Sequence, residues 1–460
     1  MARSMRPSLS VSAFCVLAGP CTETCRHVPF SCPSAPELYA QRIKSVPAPS
    51  QLIPSVEQQL PGLGPLLLNW RPDAGAAGLL PELTDPVFTA AVARLISSFR
   101  PDEASLLTAG LLCQVTAKFY SREAELSRAI ITTLEDYLLP EDDPSVEEVY
   151  IVRRGFADRG FAPAWALGDK AVSPTNVYLA VELGQTDKAG VGDSGDSHYK
   201  GGGHHVHFWR LREARETFKA TYCPAFLLEV VGSHIRLSSL AWLDRVTVFP
   251  LTPLLNLLPA YPATDRLLLP VARMLEVLRM GLRMLAARSR ESKQQLVLPA
   301  GAKALGLPWH IAFSPRYIAS TARRLAARTF LVELSDAARG AGRVEGSPDG
   351  GGRRMVVVKL GRGYGLAAHV AWAELGLAPQ VLRVLRIPGG WQLVEMEYLP
   401  SEEWTLLHDL ADADREGALQ AALEALSRAH HDTAAGGTAA EAAARDGDEV
   451  PSTPTPIPTS

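Results

Sequence analysis

Cysteine is scarce in this chain, six among 460 residues, and no two are spaced as Cys-x-x-Cys. Structural zinc modules favour such close pairs, so no cysteine-built zinc site is expected. Cys15, Cys21, Cys25 and Cys32 crowd the start of the chain beside His27 and read as a thiol-bearing tail. Cys113 and Cys223 lie in apolar surroundings and read as small core residues. This sparing use suits a reducing, intracellular compartment, cytoplasm or nucleus. A charge excess is missing as well. Lys and Arg number 46 against 49 Asp and Glu, a formal charge of -3. That balance supplies no general attraction for a phosphate backbone, so nucleic acid is not an expected partner. Apolar runs fall short of the roughly 18 to 20 residues that a membrane-crossing helix needs, and no membrane association is expected. Arg3 and Arg6 precede "LSVSAFCVLAG", but serines interrupt that run and no cleavage site follows, so secretion is not expected either.

What is present is a globular composition, 47% hydrophobic and 21% charged, on a chain long enough for two or three cores. Residues 1–84 hold many prolines and broken apolar runs and read as a poorly ordered N-terminal segment. From Asp85 the pattern changes. "DPVFTAAVARLISSF" and "SREAELSRAIITTLEDYLL" carry apolar residues at helical spacing. "EEVYIVRR", "NVYLAVELG", "PAFLLEVVG", "HIRLSSLAWL" and "RVTVFPL" read as strands, and a long helix is expected over about 265–289. Residues 85–300 therefore read as one α+β domain and 301–325 as a linker. Strands return at "RTFLVEL" and "MVVVKL", joined by a Gly-rich connection without a G-x-G-x-x-G pattern. Residues 326–432 read as a second, small domain and 433–460 as a disordered tail.

The chemistry-bearing stretch of the small domain is "VVVKLGRGYGLAAHVAWAELGLAP". A strand runs into Lys359, a turn and a helix follow, and two more strands end in Glu397-Tyr398-Leu399. This order resembles the small lobe of a protein kinase, in which a strand lysine pairs with nucleotide phosphates and with a helix glutamate. Lys359, Tyr364, Gly365, His369, Gly376, Ala378 and Pro379 match a V-K, Y-G-x-x-x-H, G-x-A-P pattern. That pattern is similar to the divergent kinase-like proteins of mushroom-forming fungi. The resemblance implies an ATP site formed by Lys359, with Glu374 as the remaining helix carboxylate and Glu397, Tyr398 and Leu399 at the hinge. Ala367 and Ala368 stand where an acidic residue is usual, and no catalytic-loop aspartate or D-F-G follows. The implied protein is a truncated kinase-like pseudoenzyme that holds nucleotide or a protein partner without phosphoryl transfer.

Upstream, "CPAFLLEVVGSHIRLSSLAWLDRVTVFPLTPLL" resembles the segment closing a PD-(D/E)XK nuclease-like domain in the same proteins. Such a site needs an aspartate and an E-x-K strand to hold magnesium and steady a water. Glu182 supplies the glutamate and Asp158 or Asp169 the earlier carboxylate, but Gly184 stands in the lysine position, leaving Lys188 as the substitute. "DSGDSHYKGGGHHVHFW" gathers Asp193, Asp196, His198, His204, His205 and His207, either as a metal site or, given its three glycines, as a mobile loop. Three classes stay open: a kinase-like pseudoenzyme, a magnesium-dependent nuclease or nucleic-acid binder, and a non-catalytic interaction scaffold.

Overall fold

The computed structural model describes residues 67–68, 79–140, 149–151, 165–169, 176–184, 197–258, 264–292, 298–326, 328–336, 338, 354–374, 376, 378–400 and scattered positions between 416 and 427. The chain divides into two compact units, residues 1–354 with 387–389, and residues 355–386 with 390–460. The architecture is mixed α+β, and the described strands belong to two sheets.

The first unit opens with β1 (Leu67–Leu68), then α1 (Pro81–Thr84), α2 (Pro86–Ile96), α3 (Glu103–Thr116) and α4 (Glu123–Leu138). Local chemistry fixes two of these starts. The Asp85 side chain accepts the Val87 N–H at 2.9 Å ahead of Pro86, and Asp102 accepts the Ser105 N–H at 2.8 Å. Next come β2 (Val149–Ile151), β3 (Trp165–Asp169), β4 (Val177–Gly184), α5 (Ser197–Trp209), α6 (Arg215–Ala220), β5 (Ala225–Val231), β6 (His234–Trp242), β7 (Val246–Pro250), β8 (Leu255–Asn256) and α7 (Thr264–Ser292). These strands form an eight-stranded sheet in the order β1-β7-β6-β5-β4-β3-β2, with β8 beside β6. Strands β2, β3 and β4 form an antiparallel meander, β5 then pairs parallel with β4, and β5, β6 and β7 continue antiparallel.

Strand periodicity sorts side chains onto the two faces of this sheet. Leu179 and Val181 of β4, with Phe226, Leu228 and Val230 of β5, pack in a core with α2, α3, α4 and α7. Ala180, Ala225 and Leu227 face the other way, into a core with Tyr199, Val206, Phe208 and Trp209 of α5. Both faces are covered, so the central strands read as near-continuous apolar runs.

The segment expected to be a linker is structured. It contains α8 (Ala302–Leu305), α9 (Trp309–Ala312) and most of β9 (Tyr317–Ala326), which pairs antiparallel with β10 (Thr329–Leu334). Strand β9 ends the order of the second sheet and is half-buried along most of its length. Such an edge strand lacks the apolar run that marks an enclosed one. The second unit holds β11 (Met355–Arg362), α10 (Leu366–Glu374), β12 (Val381–Ile387) and β13 (Trp391–Glu397). Strands β11 and β13 pair antiparallel, with Lys359 opposite Val394. Among the described residues, no helix is long and apolar enough to cross a membrane.

Candidate functional site

Glu182 on β4 and Glu229 on β5 are directly paired across the parallel ladder and are both wholly buried. By the alternation above, both point to the side that carries α5. Two carboxylates without water need cations, and α5 supplies them. Lys200 Nζ lies 3.1 Å from Glu182 Oε2, and His204 Nε2 lies 3.4 Å from Oε1. Lys200 and His204 are one turn apart on α5, which puts them on the same side of the helix. The Lys200 contact is an ion pair, and the His204 contact is one when its ring is protonated. Glu229 is tightly bonded instead. Arg236 of β6 donates to its two oxygens at 2.6 and 2.8 Å, Ser238 donates at 2.8 Å, and His198 Nδ1 lies at 3.2 Å.

Glycine brings α5 this close to the sheet. A Cβ on Gly201 would stand 2.5 Å from a Leu227 methyl, and one on Gly202 would stand 2.8 Å from Leu67 and 2.9 Å from Val248. The "KGGGHH" stretch is therefore a buried helix, not the mobile loop its glycines suggested. Packing supplies the stability that three glycines withdraw from helix propensity.

The two carboxylates are held in opposite states. Burial drives Glu182 up to about 7, with the Glu229 charge adding to the rise and Lys200 opposing it. Burial also works against ionised Glu229, yet its bonds to His198 and Arg236 bring it down to about 2. The magnesium implied by the nuclease resemblance does not fit here. The Glu229 oxygens are taken by Arg236, Ser238 and His198, and the Glu182 oxygens face Lys200 and His204, so a metal would meet the Lys200 and Arg236 cations. Among the described residues, no three His, Cys, Asp or Glu are grouped to hold a metal ion.

In the second unit, Lys359 is half-buried and its Nζ lies 5.4 Å from the centroid of the Tyr364 ring, within cation–π range. His369 Nε2 is 2.8 Å from the Pro379 carbonyl. A carbonyl only accepts, so Nε2 donates, and in the neutral ring Nδ1 accepts the Tyr364 hydroxyl proton. Tyr364, His369 and Pro379 thus form a chain that ties the turn after β11 to α10 and the entry of β12. Burial raises the Tyr364 hydroxyl above its ordinary range. Only Ala373 of α10 is buried, and Gln380 also donates to the Ala373 carbonyl at 2.9 Å, so hydrogen bonds contribute to holding the helix. Gly376 has φ +70°, the left-handed conformation that ends such a helix.

Glu374 is exposed and makes no ion pair among the described residues, so it is not the partner of Lys359. The Glu397 N–H donates to the Gln380 carbonyl at 2.9 Å, and Tyr398 and Leu399 follow directly after β13. Asp169 sits at the far end of β3 from Glu182, since Trp165 pairs with Val181 and Asp169 with Val149. Roughly 15 Å of ladder separates them, so these two carboxylates do not meet. Asp158, Lys188, Asp193 and Asp196 lie outside the described residues. Sequence reasoning missed Glu229, Lys200, Arg236 and Ser238. Gly190 to Gly195, spaced G-x-G-x-x-G between β4 and α5, is a signal for a helix start there. The first turn of α5 nevertheless faces the Glu229 carboxylate, which Ser197 and His198 contact, so a phosphate would be repelled. No protein-family model, curated protein sequence or solved structure matches this chain.

Proposed function

We propose that this chain is a kinase-like pseudoenzyme whose second unit binds the phosphates of a nucleotide through Lys359 and does not transfer them. The observation that carries the reading is the placement of Lys359, on β11 beside β13, half-buried and set against the Tyr364 ring, with a helix and two strands following. ATP fits the residues present. Lys359 offers a positive charge for phosphate, and Tyr398 and Leu399 follow its ladder partner Val394 by four and five residues, about 14 to 17 Å along an extended chain. Transfer needs the lysine paired with a helix glutamate. The carboxylate available on α10, Glu374, is exposed at its last position.

Saturating ATP should raise the unfolding midpoint by the amount that ligand binding to the folded state requires. Lys359→Met should abolish that rise and leave the midpoint of the free protein nearly unchanged. An equal rise in wild type and variant would overturn the reading.

A second reading, a nuclease-derived first unit, is favoured by one observation. The cation missing at Gly184 is restored beside Glu182 by Lys200 from the neighbouring helix. Its full neutralisation makes the cluster a structural remnant. DNA cleavage lost in both Glu182→Gln and Lys200→Met would show the site to be alive instead.

A further inference from the structure

Cys223 is wholly buried and, at φ +54°, is the one non-glycine residue in the left-handed region among the described residues. Its N–H donates to Thr221 Oγ1 at 3.1 Å, which pins the strained turn. Lys303, from α8, points its Nζ to within 3.3 Å of the Cys223 sulfur. The same nitrogen donates to the Phe218 carbonyl and lies 3.6 Å from the centroid of the Phe218 ring. A lysine in the last turn of a helix such as α8 ordinarily keeps its ammonium in water. This one is turned inward, onto a thiol. His205, buried on α5, feels the Lys303 charge, and neither of its ring nitrogens has a hydrogen-bond partner among the described residues.

We propose that Cys223 and Lys303 form a redox-responsive pair that closes into a covalent sulfur–nitrogen cross-link when the protein meets hydrogen peroxide. In the first step, the sulfur attacks one peroxide oxygen, the O–O bond breaks, and the leaving hydroxide departs as water with the thiol proton. Cys223 is then a sulfenic acid. In the second step, the neutral Lys303 amine attacks that sulfur, the S–O bond breaks, and the hydroxyl leaves as water with an amine proton. One peroxide is reduced to two waters, while thiol and amine lose one hydrogen each. Burial lowers the Lys303 ammonium, which favours the neutral amine that the second step needs, and raises the Cys223 thiol, which makes the first step the slower one. Of the two residues, Lys303 alone is partly exposed. Oxidation past sulfenic acid is forestalled because the amine is already in contact.

The test is peptide mapping of the full-length protein after peroxide treatment and alkylation of free thiols. The peptides containing Cys223 and Lys303 should be joined, lighter than their sum by two hydrogens, and separated again by a thiol reductant. Cys113, also buried, should form no link to any lysine. In Lys303→Met the link should vanish and Cys223 should be recovered alkylated or as sulfinic acid. Should that variant fail to fold, the wild-type map decides alone. Wild-type Cys223 recovered alkylated or carrying oxygen, with Lys303 free, overturns the proposal.

Discussion

Glu182 carries a cost that a glutamine in its place would not. Its folded-state pKa of about 7 stands above the ordinary value of 4.5, so the folded protein holds this proton more tightly than the unfolded chain. Stability from this group therefore falls as pH rises from about 4.5 to about 7 and stays flat above. The penalty at pH 8 is about 3 kcal/mol. Glu182→Gln should raise stability at pH 8 by up to that amount and leave it nearly unchanged at pH 4, as read by urea unfolding at both values. Glu229 behaves oppositely. Its contribution is present above 4.5 and is lost as pH falls toward about 2. Arg236→Met would strand a buried carboxylate and should cost about 3 to 5 kcal/mol at pH 7. Lys200→Met should cost far less, because Lys200 is partly exposed and Glu182 can take up a proton. Glu182 was legible in the sequence because a carboxylate closes a strand pattern there. Glu229 was not, since one glutamate inside "PAFLLEVVG" looks like a tolerated interruption until its partners from β6 and α5 are known.

Elements with an uninterrupted pattern were the readable ones. The long helix α7 and strands β4 to β7 follow their apolar periodicity closely. Helix α5 and strand β9 did not show, and the reasons differ. In α5 glycine is selected by contact with the sheet, whereas propensity alone argues against a helix. Gly201→Ala and Gly202→Ala should each destabilise by about 1 to 3 kcal/mol in chemical denaturation, against the small gain alanine brings to an exposed helix. A gain in stability would mean that α5 stands off the sheet. The Tyr364–His369–Pro379 chain makes a parallel prediction for the second unit. Tyr364→Phe keeps the ring beside Lys359 and removes one hydrogen bond, at a cost of about 1 kcal/mol. His369→Ala removes both bonds and should cost about twice that. The sequence marked these residues as a motif without saying what they do, because a hydrogen bond between positions 369 and 379 becomes visible only once β12 is in place.

For the whole molecule, the near-neutral charge and the enclosed Glu182–Glu229 cluster point the same way. Magnesium-dependent DNA cleavage should stay at background, and DNA binding should be weak and salt-sensitive. Cleavage above background that Glu182→Gln abolishes would contradict this. The central claim is the proposal that Lys359 holds phosphate without moving it. Its most direct test is incubation of the full-length protein with γ-labelled ATP and magnesium, following both retained nucleotide and the fate of the label. Wild type should retain nucleotide, Lys359→Met should not, and the label should remain on the nucleotide in both. Label transferred to protein or water by wild type but not by Lys359→Met would contradict the account, as would a wild-type protein that retains no nucleotide.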